Sequence, residues 1–130
     1  MNLLPYIGIP YQPRGAMPAA ADCWTLIREF AKAELGQDWP EFMYDVKHYK
    51  RAARDLILEE TTGLGGRWQS VDAPQLGDVL IFRMNTVPMH CAVALDDRDM
   101  LHTMEEINSC IDRIEVWKDA LTGIWRWTGK

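Results

Sequence analysis

A proline- and glycine-rich start, one helix opening at Asp22-Cys23 and a train of strand-like segments after Gly77 leave this chain few ways to fold. Pro5, Gly8, Pro10, Pro13, Gly15 and Pro18 exclude a long helix from residues 1–21, which read as an extended arm. Asp22 can serve as an N-cap, and helical spacing then runs to about Leu35, where Gly36 ends it. Trp24, Ile27, Ala31 and Leu35 share one face of that helix, with Cys23, Leu26 and Phe30 beside them. Thr25, Arg28, Glu29 and Lys32 form only a narrow polar stripe, so the helix is expected to pack centrally.

A second helical pattern starts at about Glu41 or Val46 and runs to Glu60, with Val46, Tyr49, Ala53, Leu56 and Ile57 as its apolar face. Thr62-Gly63-Leu64-Gly65-Gly66 breaks it, and Pro74-Gln75-Leu76-Gly77 forms a turn. Strand signals follow at residues 78–84, 89–95, 100–104 and 110–116, with Asp96-Asp97-Arg98-Asp99 as a hairpin loop. Residues 117–121 read as a short helical turn and 124–128 as a last strand. Helices first and antiparallel strands after predict an α+β layered fold. At 130 residues, 48% of them hydrophobic, the chain is expected to be one domain with a core of its own.

Fourteen basic against nineteen acidic residues, a net charge of -5, argue against nucleic acid as the main partner. The three cysteines are 68 and 19 residues apart, which is no disulfide framework, so free thiols in a reducing compartment are expected. The first residues have no basic region, and Pro5 and Pro10 interrupt a short apolar run, unlike a secretory signal. No stretch reaches the roughly 18 apolar residues of a membrane span. The expectation is a protein made in the cytoplasm that needs a carrier if its substrate lies outside.

The residues that carry chemistry are Cys23, His90 and His102. A free thiol is a poor nucleophile at neutral pH until its pKa falls, and a helix N-terminus and a nearby imidazolium both lower it. Cys23 has the first by position and gains the second if His90 comes close. His90 would take the thiol proton and return it to a leaving amine. A third polar group commonly fixes the tautomer of such a base. His102 lies twelve residues on, across a strand–hairpin–strand path that can bring the two face to face.

Asp22-Cys23-Trp24 at a helix start, Gly77-Asp78-Val79-Leu80-Ile81-Phe82, then His90-Cys91-Ala92-Val93-Ala94-Leu95, in that order, resemble the NlpC/P60 cysteine peptidases over roughly residues 5–128. The chain looks closest to the phage-borne branch of tail-assembly proteins and gene-transfer-agent cell-wall peptidases. The resemblance implies a papain-like fold with Cys23 as nucleophile, His90 as base and His102 as orienting residue. It places Tyr11, twelve residues before the cysteine, at the oxyanion site, and Asp22 and Trp24 on the oxyanion and substrate side. It implies hydrolysis of an amide in peptidoglycan stem peptides, the γ-D-glutamyl–diaminopimelate bond, without cofactor or metal. It further implies tail-tip or hub proteins as partners and a place in a phage or phage-like tail. Cell-wall members often read Asp-Cys-Ser-Gly; here Trp24 and Thr25 stand in place of the last two. Trp24 suits the phage branch, whereas Thr25 is unusual even there.

Each reading has a plainer rival. A cysteine on a helix is usually a small core residue, and Cys91 and Cys110, in strand runs with no helix start, are read as that. Cys91 should point to the face opposite His90. His90 could be a core histidine, His102 an exposed one and Tyr11 a packing aromatic. Cys23, His90, Cys91, His102 and Cys110 include zinc-ligand types, but the usual short paired spacings are missing. Lys47, Lys50, Arg51 and Arg54 form a basic stripe, read first as a solvated helix face and second as a docking surface. His48 beside them reads as a surface residue. Trp125 and Trp127 share a face of the last strand, by default for packing, or for a partner if exposed. The rival of another class is a structural tail-tip component that keeps the fold with little activity. An amidase or acyltransferase using the same triad is a second enzymatic alternative.

Overall fold

The computed structural model describes residues 1–13, 15–40, 67–84 and 87–129. The expected second helix, with the Lys47–Arg54 stripe and His48, lies outside the described residues. Among the described residues one α-helix, α1 (Cys23–Leu35), packs on six strands: β1 (Trp68–Ser70), β2 (Val79–Met84), β3 (Val87–Ala94), β4 (Asp99–Met104), β5 (Ile107–Arg113) and β6 (Leu121–Trp127). They form one sheet in the order β1-β6-β2-β3-β4-β5, antiparallel at every pairing. The α+β layering expected from the order of helical and strand patterns is the layering observed.

The start of α1 is fixed by two reciprocal hydrogen bonds. The Thr25 N–H donates to Asp22 Oδ1 at 2.9 Å, and the Asp22 N–H donates to Thr25 Oγ1 at 2.8 Å. Together they satisfy two donors that a helix end would otherwise strand. Thr25, odd by family pattern, is thus the third-position partner of a capping box. Thr25→Ala is expected to lower unfolding stability by about 1 kcal/mol, read as a drop in urea midpoint at unchanged slope. At the other end Gly36 takes φ 63°, a left-handed conformation in which a Cβ is unfavourable.

The sheet is buried on both faces at its centre, which explains the unbroken apolar runs of β2 and β3. Toward α1 lie Val79, Ile81, Cys91, Val93 and Leu101, against Trp24, Ile27, Phe30 and Ala31 of the helix. On the other face Leu80, Phe82, Ala92, Ala94, Met100 and Ile124 meet Ile114 and the half-buried Trp117. These last two residues come from a single-stretch 3-10 helix, Ile114–Ala120. The strand expected at 110–116 therefore begins earlier, at Ile107, and ends at Arg113. The Ile114 N–H bonds the Arg98 carbonyl at 2.9 Å instead of continuing the ladder, and its side chain turns into the second core. The helical turn expected at 117–121 and the last strand at 124–128 each start three residues earlier than expected, at Ile114 and Leu121. Trp127 is buried against Trp68, centroids 4.9 Å apart, and half-buried Trp125 packs on the same core, so both serve packing.

The N-terminal arm is tied down at two places. Gly8 and Ile9 exchange backbone hydrogen bonds with Ser109 of β5, and the Ser109 hydroxyl donates to the Tyr6 carbonyl at 2.6 Å. Further on, Tyr11 pairs with Ala21 in a parallel bridge. This second tie lays Tyr11 beside the start of α1.

Candidate active site

Cys23 is the first residue of α1, immediately after its cap. Its backbone N–H is one of the donors a helix leaves without an intrahelical partner, and the positive end of the helix dipole lies at its sulfur. The side chain is 8% exposed. The opposing groups are two consecutive residues of β3. The Cys91 thiol and the His90 imidazole both lie within hydrogen-bonding reach of Cys23. Consecutive strand residues point to opposite faces, so the sulfur sits against the edge of β3. Among the described residues the β3–β4 ladder pairs Val93 with Leu101 and Ala94 with Met100.

The thiol of Cys23 is pushed down to about 6, first by the hydrogen bond from Cys91, then by the hydrogen bond and charge of His90. Burial and the nearby Asp22 carboxylate oppose the shift. Cys91 moves the other way, well above the ordinary thiol range, because it donates to Cys23 and is itself buried. The helix terminus and the imidazole adjoin Cys23 and not Cys91, so the negative charge of the pair belongs on Cys23. Cys110 is raised as well, by burial and then by Asp112. Near neutral pH, iodoacetamide is expected to label Cys23 ahead of Cys91 and Cys110. Deprotonation makes the nucleophile, so the rate should climb through a midpoint near pH 6 and level off above it. Mass mapping after brief treatment checks this; faster labelling at Cys91 or Cys110 contradicts it.

Behind the thiol, His90 Nε2 lies 3.0 Å from His102 Nδ1. Since Nε2 of His90 is engaged there, Nδ1 is the nitrogen left for Cys23. Burial, and after it the charge of His90, pushes His102 down to about 4, against the pull of Asp112. His102 is therefore neutral near pH 7 and able to accept a hydrogen bond at Nδ1. Its other nitrogen faces Asp112 Oδ2 at 3.5 Å. The indole of Trp117 covers the pair, with ring centroids 5.8 Å from His90 and 5.4 Å from His102.

The structure thus brings Cys23, His90 and His102 together as a connected row. Tyr11, half-buried, is held beside the helix start by its bridge to Ala21. Asp22 is buried and occupied as the cap of α1. Trp24, expected on the substrate side, is 3% exposed, packs on Trp39 and Trp68, and its Nε1–H donates to the Pro40 carbonyl at 2.9 Å. An indole so placed supports the helix from inside. Three neighbours escaped the sequence reading: Cys91, Asp112 and Trp117. Cys91 could have been found as the strand neighbour of His90 with a second thiol near the helix. Asp112 and Trp117 carry no signal in spacing, since a ladder register and a 3-10 turn bring them in.

Among the described residues no three or more His, Cys, Asp or Glu side chains gather as a metal site, and no helix is long and apolar enough to cross a membrane.

A protein from Staphylococcus aureus described as similar to a lipoprotein of the NLP/P60 family shares this fold, with a TM-score of 0.63 at 22% identity. The match covers 96% of this chain and 38% of that one. The NlpC/p60 domain of the peptidoglycan hydrolase SagA gives a TM-score of 0.60 at 20% identity, over 92% of this chain and 87% of that domain. At such identities the likeness establishes the fold. A comparison with curated protein sequences finds no match. The sequence pattern of the NlpC/P60 family, by contrast, matches residues 8–126. That span contains the capped cysteine helix, both histidine strands and the sheet that joins them, and by it the chain belongs to the NlpC/P60 family.

Proposed function

We propose that this chain is a cysteine peptidase that hydrolyses an amide of peptidoglycan stem peptides, with Cys23 as nucleophile, His90 as general base and acid, and His102 as the orienting residue. One observation supports it most: a helix-terminal thiol lowered to about 6 touches His90, whose far nitrogen is 3.0 Å from a neutral His102. In this reading the Cys23 thiolate attacks the carbonyl carbon, and the oxyanion is received by the Cys23 backbone N–H and the Tyr11 hydroxyl. Collapse breaks the C–N bond as protonated His90 gives its proton to the departing amine, leaving a thioester. His90 then takes a proton from water, the hydroxide attacks the thioester, and the acid leaves as the thiol is restored. The bond proposed is the γ-D-glutamyl–diaminopimelate amide. Digestion of purified peptidoglycan, with products identified by mass, tests both activity and bond. Products cut elsewhere refute the bond; no products refute the activity.

Delivery by a phage or phage-like tail tip, with tail proteins as partners, is the accompanying proposal. It is supported by the Asp22-Cys23-Trp24 start and is tested by incorporation of a tagged chain into tails. A second reading, a structural tail component, is favoured by the 8% exposure of Cys23. A thiol inert to iodoacetamide together with intact peptidoglycan would decide for it.

A further inference from the structure

Resting on the reading of Cys23, His90 and His102 as the reacting row, we propose that Asp112 and Trp117 form a positioning pair that fixes the His102 tautomer and so aims His90 at the thiol.

Proton positions along the row set the requirement. His90 must accept a proton at Nδ1, so in its neutral state its own proton sits on Nε2. In its cationic state Nε2 is protonated too. The 3.0 Å contact therefore holds through the whole cycle only if His102 Nδ1 stays an acceptor. His102 must then carry its proton on Nε2. The opposite tautomer would point two N–H groups at each other. In the neutral row the reverse arrangement, with His102 Nδ1–H donating to a bare His90 Nε2, is also self-consistent but puts the His90 proton on Nδ1, where it cannot take the thiol proton; an acceptor beyond His102 Nε2 disfavours that arrangement.

That acceptor is Asp112. It stands two residues beyond Cys110, the ladder partner of His102, on the same face of β5. Its Oδ2 is 3.5 Å from His102 Nε2, a buried nitrogen with no hydrogen-bonding partner of ordinary geometry among the described residues. The charged groups that act on His102 are this carboxylate and His90. The carboxylate is held at both oxygens: the Trp117 Nε1–H donates to Oδ2 at 2.9 Å and the Arg113 backbone N–H to Oδ1 at 2.8 Å. Burial favours its protonation, but these bonds and the nearby His102 outweigh it and keep it ionised. Trp117 has a second task. The ring that anchors Asp112 also lies 5.8 Å from His90, 5.4 Å from His102 and 5.9 Å from Phe82 between centroids, so it wedges both imidazoles against the sheet. One indole thus holds the carboxylate and restrains the rings that the carboxylate orders.

Asp112→Asn separates orientation from mere packing, since an amide of the same shape can offer Nε2 a donor instead of an acceptor. In long-range 1H–15N spectra of 15N-histidine protein, the parent's His102 should be the Nε2–H tautomer, and the variant should shift toward Nδ1–H. The iodoacetamide midpoint of Cys23 should rise with it, because the His90 cation loses support. kcat on stem peptide should fall about tenfold with little change in KM. Trp117→Phe, which keeps a ring and removes the N–H, should move all three readouts the same way by less, and it serves if the first variant folds poorly. A His102 tautomer and thiol midpoint unchanged in both variants overturn the proposal. A parent that cuts no peptidoglycan, yet shows both shifts in the variants, overturns the proposed activity and leaves the positioning pair standing.

Discussion

Cys23→Ala is expected to abolish peptidoglycan hydrolysis, a loss of at least about 10⁴-fold, while the protein stays folded. The chemistry of the proposed reaction begins at one sulfur, and among the described residues no other activated thiol stands in that place. Cys91 touches Cys23 but is a buried donor raised well above the ordinary thiol range. Alanine keeps the Cβ, and the cap of α1 is made by Asp22 and Thr25 on either side. What is lost structurally is the sulfur and its hydrogen bonds to Cys91 and His90, a cost of about 1 kcal/mol. The measurement is a time course of released stem-peptide products, beside a urea unfolding curve. Turnover that survives in the folded variant would remove the central claim. Lost turnover with lost folding would be uninformative, and for that reason Cys23→Ser, closer in shape, belongs beside it.

How much of this was legible in the sequence depended on whether a signal was local. The cap, the helix from Cys23 to Leu35 and its stop at Gly36 are local statements, written in Asp22, the apolar spacing and one glycine, and the structure follows them. The strands of the sheet center were legible for the same reason. Where a segment is decided by distant partners, local spacing misplaces its bounds. Ile114 has the look of a strand residue, but the Arg98 carbonyl and the second core draw it into a 3-10 turn. Thr25 looked like a departure from a family pattern. Its reason is a bond to the residue three before it, a capping box written locally in Asp22 and Thr25. In the site, the closeness of Cys23, His90 and His102 was inferred from order and resemblance, and the geometry agrees with that proximity. Trp24 is buried although it adjoins Cys23, because one helical step turns the side chain by about 100°. Asp112 and Trp117 needed the register of β4 on β5, and no single strand announces its register.

His90→Ala should be nearly as damaging as loss of the thiol, about 10³-fold or more, and its pH behaviour should reveal why. His90 has two duties in the proposed mechanism. It stabilises the thiolate, by hydrogen bond and by charge, and it protonates the leaving amine. Only the first can be replaced by raising the pH. Without His90 the Cys23 midpoint should move up from about 6 toward the ordinary thiol value, held partway by Cys91 and the helix terminus. Alkylation should therefore be slow near neutrality and recover in alkali. Hydrolysis should not recover, since an expelled amide nitrogen still lacks its proton donor. Replacing His102 should be milder. His102→Gln keeps an oxygen that can accept from His90 Nε2, so the base stays oriented, whereas His102→Ala leaves that N–H without its partner at 3.0 Å. The expected order of activity is parent, His102→Gln, His102→Ala, His90→Ala, read from initial rates on stem peptide. Hydrolysis by His90→Ala that returned in step with its alkylation at high pH would show that His90 only lowers the thiol pKa. The proton for the leaving amine would then have to come from another group.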